Sequence, residues 1–153
     1  MNKNVNVYLA GDVSQHWRAK VESAFRYFPN VIFLSPNQSP VAYKREALIT
    51  KAPFIIADKI KIDRSDIIFA YLKKYSPSRF SGTSWELGRA SMCPTKHAIV
   101  VCDLSERLAR LYEFLRSEYS NTYFTSLEDG MRYLARVLCE MIGHNSHQLE
   151  GIK

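Results

Sequence analysis

Gly82-Thr83-Ser84-Trp85-Glu86-Leu87-Gly88-Arg89-Ala90 gathers two hydroxyls, a carboxylate and two glycines at the expected start of a helix. Thr83 and Glu86 have the spacing of a capping box, hydroxyl at the N-cap and carboxylate at the third helical position. That placement has a purely structural use and also a chemical one. A carboxylate in the first helical turn is held ionised by the positive helix end and its free N–H groups. Fixed at a cleft, it can attack an acetal-like carbon. Gly82 and Gly88 would let a ligand or a neighbouring strand come close.

Two other side chains could serve that carboxylate. Tyr8, in Tyr8-Leu9-Ala10-Gly11-Asp12, is either a core aromatic bonded at the edge of a sheet or a donor that holds Glu86 in one rotamer. Asp58 is either on a solvated helix face with Lys59 and Lys61, or a second carboxylate that exchanges a proton with a leaving group. His16, beside Trp17, suits a cleft rim or the surface. His144 and His147 have metal-like spacing but no acidic or Cys partner, so no metal site is expected.

These residues must be positioned by a repeating pattern of strands and helices. Asn6–Ala10 predicts a buried first strand ending at Gly11. Ser14 then caps a helix with Trp17, Val21, Ala24, Phe25 and Phe28 inward, stopped by Pro29. Val31–Leu34 is a second strand, and Ser35–Pro40 a loop. Val41–Ala52 is weakly helical. Pro53 opens a helix with Ile55, Ile56, Ile60 and Ile62 on its apolar side. Asp66–Leu72 is a strand apolar on both faces, the mark of a central parallel strand. A polar loop, Lys73–Gly82, leads to a helix over Ser84–Met92. Ala98–Cys102 is another apolar strand. Leu104–Arg116 is amphipathic, Thr122–Phe124 a short strand, and Ser126 caps a last helix with Leu127, Met131, Leu134, Val137, Leu138 and Met141 inward.

Alternating strands and helices predict one three-layer α/β domain over residues 1–143, with a polar, loose tail over 144–153. Right-handed crossovers leave few topologies, of which a flavodoxin-like five-stranded parallel sheet in the order 2-1-3-4-5 is the expected one. Ligands of such sheets sit at the carboxyl ends of the strands where the order reverses. Here that lies between the first and third strands, where the loop after Ala10 faces the loop leading into Ser84.

Composition bounds the function classes. In 153 residues, 46% hydrophobic and 24% charged, the mix is that of a globular protein rather than a disordered or disulfide-dense one. No apolar run approaches the ~20 residues of a bilayer span, and Met1–Val7 has no apolar signal-peptide core. Three widely spaced cysteines form no C-x-x-C pair, as expected of a reducing cytoplasm; Cys102 fits a buried strand position. The net charge of +6 suits a polyanion, an anionic small ligand or simple solvation. Lys59–Arg64 and Lys73–Arg79 are basic, but no nucleic-acid-binding motif accompanies them, so nucleic acid is not the expected partner.

The ordered set Tyr8-Leu9-Ala10-Gly11, Asp58, Ser65-Asp66-Ile67-Ile68 and Gly82-Thr83-x-x-Glu86-Leu87-Gly88-x-Ala90 resembles the nucleoside 2-deoxyribosyltransferase family and its nucleotide N-hydrolase relatives. The resemblance runs from Tyr8 to about Val101. It implies a flavodoxin-like domain without metal or cofactor, acting on a small nucleoside or nucleotide as a homo-oligomer. Glu86 matches the family's glutamate, which attacks the anomeric carbon and forms a glycosyl ester. Another base captures the sugar in transfer, and water does so in hydrolysis. Tyr8 matches the tyrosine that orients the glutamate, and Asp58 the aspartate that contacts the base. Gly11, Asp12, Arg79, Ser81, Gly82 and Thr83 are the expected substrate-binding residues.

One departure bears on the substrate. Phe80 stands where transferases often carry an Asp that contacts the sugar hydroxyl. With Ser78, Arg79, Ser81 and Ser84 around it, that loop either holds a 5′-phosphate at a helix N-terminus or is merely solvated. Transfer of deoxyribose between bases is the leading expectation. Hydrolysis of a nucleoside 5′-monophosphate is the second, and a non-catalytic nucleotide-binding module the third.

Overall fold

The computed structural model describes residues 4–11, 16–36, 53–73, 80–104, 110 and 113–143, with the backbone alone described at 53–55, 80 and 81. Within them the chain runs β1 (Val5–Gly11), α1 (Trp17–Ala24), β2 (Val31–Leu34), α2 (Pro53–Arg64), β3 (Ile67–Lys73), α3 (Phe80–Ser91), β4 (His97–Asp103), α4 (Glu113–Glu118), β5 (Tyr123–Phe124) and α5 (Leu127–Ile142). The strands form one parallel sheet in the order β2-β1-β3-β4-β5. The expected three-layer α/β architecture and strand order are therefore present.

The period of two along each strand builds both layers. Val7 and Leu9 of β1, Phe69 and Tyr71 of β3 and Val101 of β4 face α1 and α5. Tyr8 and Ala10, Ile68, Ala70 and Leu72, and Val100 and Cys102 face Ile62 of α2, Leu87 and Ala90 of α3, and Leu115 of α4. Both faces of the central strands are covered, which is why they are apolar throughout. After β2 the chain crosses to the far side of β1 and builds β3 there. The order thus reverses at the carboxyl end of β1, where Gly11 lies beside Tyr71 of β3.

Several helices differ from the sequence expectation in extent or rotation. α1 starts after His16, whose side chain makes no capping hydrogen bond, and ends at Ala24, short of Pro29. Phe25 and Phe28 reach the core from the following turn, their rings 5.2 Å apart. On α2 the inward positions are Asp58, Ile62 and, just beyond it, Ser65, while Ile56 and Ile60 are exposed. Met141 of α5 is also largely exposed. Ser126 does cap α5, its hydroxyl accepting from the Asp129 amide at 3.1 Å, and Gly143 closes that helix with φ 72°. Cys102 and Cys139 are buried free thiols, and Cys93 is a free thiol nearer the surface.

Ser14, the Val41–Ala52 segment, most of Leu104–Tyr112 and the tail with His144 and His147 lie outside the described residues. Among the described residues no helix is long and apolar enough to cross a membrane.

Candidate active site

α3 begins at Phe80, not near Ser84. Thr83 and Glu86 therefore lie beyond the first turn and form no capping box. They belong instead to the inward stripe Thr83, Glu86, Leu87 and Ala90, at i, i+3, i+4 and i+7, all buried. Glu86 is inward because it shares a face with Leu87 and Ala90. Its carboxylate thus meets the sheet rather than the free amides of a helix end.

What it meets is Tyr8. The Tyr8 hydroxyl donates to Oε1 of Glu86 at 2.7 Å, in a buried contact. Tyr8 is fully buried in the middle of β1, and Glu86 is 8% exposed. Asp58 approaches from α2, one turn before buried Ile62, with 13% of its side chain exposed. Its Oδ1 lies 3.8 Å from Nζ of Lys61. Lys61 also donates at 2.7 Å to the carbonyl of Ser35 at the carboxyl end of β2.

The electrostatics follow from burial. Glu86 is pushed up to about 7, first by loss of hydration; the Asp58 charge adds to this, while the Tyr8 hydrogen bond and the Arg18 charge oppose it. The expectation of a carboxylate held ionised by a helix end is thereby replaced by a buried carboxyl poised near neutral pH. Tyr8 is driven far above its ordinary value by burial, and then by the charges of Glu86 and Asp58. It is therefore a neutral hydroxyl that can only donate to this carboxylate.

Thr83 is buried on the same face of α3 as Glu86. Gly11 has φ 146°, and a Cβ there would lie 2.6 Å from the Tyr71 carbonyl, so β3 itself requires glycine. Among the described residues nothing lies within 4 Å of where a Cβ at Gly82 or Gly88 would point. Asp12 and Arg79 lie outside the described residues, as does the side chain of Ser81. Ser65 and Asp66 have structural partners: Ser65 Oγ donates to the Ile62 carbonyl, and Asp66 Oδ2 accepts from the Asn6 amide.

His16 opens on the other side of the sheet. It lines a cavity of about 630 Å³ with Trp17, Lys20, Tyr71, Asp103 and Glu128 among its walls. The Tyr71 hydroxyl donates to Asp103 there at 3.0 Å, and Lys20 pairs with Glu128 at 2.6 Å. Arg18 of α1 is buried at 3% exposure. Its Nε donates to the Leu9 carbonyl at 3.1 Å and a terminal nitrogen to the Gly11 carbonyl at 2.8 Å. A buried charge on a helix is not visible in periodicity, since Arg18 has the composition of a solvated position.

A scan against models of protein families and a search of curated proteins each found no match.

Proposed function

We propose that the chain is a nucleoside 2-deoxyribosyltransferase-like enzyme that cleaves the N-glycosidic bond of a (deoxy)nucleoside through Glu86. The buried 2.7 Å hydrogen bond from Tyr8 to Glu86, next to Asp58 at the reversal point of the sheet, carries this reading. With Oε1 held by Tyr8, the other carboxylate oxygen attacks the anomeric carbon. The C–N bond breaks as the C–O bond forms, and the base departs with the bonding electrons. Asp58, in its acid form, gives its proton to that base and, as a carboxylate, takes one back from the N–H of the acceptor base. Positive charge spreads over the sugar ring in the transition state, next to the Glu86 carboxylate. The resulting glycosyl ester is then opened by a nitrogen of a second base, which restores the carboxylate.

Hydrolysis of a nucleoside 5′-monophosphate is the second reading, favoured by Phe80 at the first position of α3 in place of a sugar-binding carboxylate. Both reactions share the first half and differ in what opens the ester.

The test incubates the protein with deoxynucleosides and, separately, with nucleoside monophosphates, each with and without a second base. A new nucleoside that forms only with acceptor supports transfer. Free base released without acceptor, and only from phosphorylated substrate, supports the hydrolase. No turnover in any arm, together with ligand binding unchanged in Glu86→Ala, rejects the enzyme.

A further inference from the structure

Lys73 and Asp103 are register partners at the carboxyl ends of β3 and β4. Partners in a parallel ladder leave the sheet on the same face, side by side. Both line the cavity of about 630 Å³ beside α1 and α5, on the face of the sheet away from Glu86. That volume is ample for a small ligand.

Other polar groups of its wall already have partners. Lys20 pairs with Glu128 at 2.6 Å, and the Ser126 hydroxyl donates to the Asp129 carboxylate at 2.7 Å. The Tyr71 hydroxyl donates to Asp103 Oδ2 at 3.0 Å. Burial and that bond hold the hydroxyl above its ordinary value, so it stays a neutral donor. It fixes the Asp103 carboxylate without balancing its charge. Among the described residues neither Asp103 nor Lys73 forms an ion pair. One anion and one cation thus stand next to each other in a wall that also contains Trp17 and Leu127.

The charges select the ligand. A phosphate ester would bring negative charge beside both Asp103 and Glu128, and a purely cationic ligand would meet Lys20 and Lys73. A zwitterion matches both signs, with charge-assisted hydrogen bonds at each end. An α-amino acid carries its two charged groups on one carbon, a spacing that two side-by-side residues can bracket. An apolar side chain then buries against Trp17 and Leu127.

We propose that this cavity is a binding site for a free amino acid with an apolar side chain, its carboxylate held by Lys73, its ammonium by Asp103 and its side chain by Trp17 and Leu127. The site is independent of the reading of Glu86, which lies on the opposite face of the sheet.

The experiment titrates the nitrogen-labelled full chain with L-leucine and L-phenylalanine and follows the amides of Lys73 and Asp103 and the Trp17 indole by NMR. Saturable shifts centred on these signals are expected, with a Kd of about 1 mM or tighter. 3-Phenylpropionate lacks the ammonium and phenethylamine lacks the carboxylate; each is expected to bind at least about tenfold more weakly than phenylalanine. Asp103→Asn should weaken phenylalanine and spare 3-phenylpropionate, and Lys73→Met should weaken phenylalanine and spare phenethylamine. Should either variant fail to fold, the comparison of phenylalanine with its two analogues on wild type decides alone.

No saturable shift with either amino acid up to about 20 mM overturns the proposal. Equal affinity for phenylalanine and both analogues also overturns it, because the cavity would then select only apolar bulk. Inorganic phosphate that binds there more tightly than either amino acid makes it an anion site and overturns it equally.

Discussion

The hydroxyl of Tyr8 and the carboxylate of Glu86 meet at 2.7 Å across 78 positions of sequence, one from the central sheet and the other from the helix laid over it. Tyr8 is fully buried and Glu86 only 8% exposed, so their proton equilibrium belongs to the fold. The resulting carboxyl is raised to about 7, whereas burial drives the hydroxyl well above its ordinary value.

This raised carboxyl makes stability depend on pH. The unfolded chain releases the Glu86 proton near 4.5, and the folded chain retains it up to about 7. The folded state binds more protons in that window, so stability is highest below it and falls as pH rises through it. Moving a carboxyl from 4.5 to about 7 corresponds to roughly 3 kcal/mol. Glu86→Gln, which cannot ionise, is expected to remove this dependence and to be more stable than wild type at pH 8 while losing turnover. Denaturant titrations of both proteins at pH 5 and pH 8 measure it, and equal slopes against pH would contradict it.

Removing the donor should act in one direction on both rate and pH. Tyr8→Phe retains the ring in its buried position and deletes a hydrogen bond to the carboxylate. It is expected to cost about 1–3 kcal/mol at pH 8, where Glu86 is ionised, and less at pH 5. The acid limb of kcat/KM should move up, since the lost hydrogen bond was lowering the Glu86 value. A rate profile taken between pH 5 and pH 9 decides the sign.

Asp58→Asn should move the same limb the other way. Asp58 raises Glu86 by like-charge repulsion, so its neutralisation lowers the midpoint while slowing departure of the base. A fall in kcat of about 10²-fold or more is expected if the carboxyl delivers a proton. Substrates whose leaving base needs no proton should be spared, and a uniform loss across leaving groups would argue against proton delivery.

Two glycines separate backbone necessity from mere occurrence. Gly11→Ala places a Cβ against the Tyr71 carbonyl at a φ of 146°, with an expected loss of at least about 2 kcal/mol. Gly88→Ala sits inside α3 and faces open space, so it should stabilise by about 0.5–1 kcal/mol. Thermal unfolding of the two variants should shift Tm in opposite directions.

Much of the frame was legible in the sequence because it follows from local pattern. Runs such as Ile67–Leu72 can satisfy their apolar character only between two covering layers, and strands that alternate with helices leave few topologies. The residue types Tyr8, Asp58 and Glu86 could also be picked out, each with a structural alternative beside it. Periodicity, however, gives the spacing of a helix face and not its rotation against the sheet. Packing against the sheet turns Asp58 and Ile62 of α2 inward and leaves Ile56 and Ile60 outside. The first turn of α3 extends back to Phe80, which moved Glu86 from a capping position to a buried one. The Tyr8 hydroxyl of β1 and the charges of Asp58 from α2 and Arg18 from α1 bear on that carboxylate from three separate elements. Proton affinity is a sum over such neighbours in space, and only the tertiary structure brings them within reach of one another.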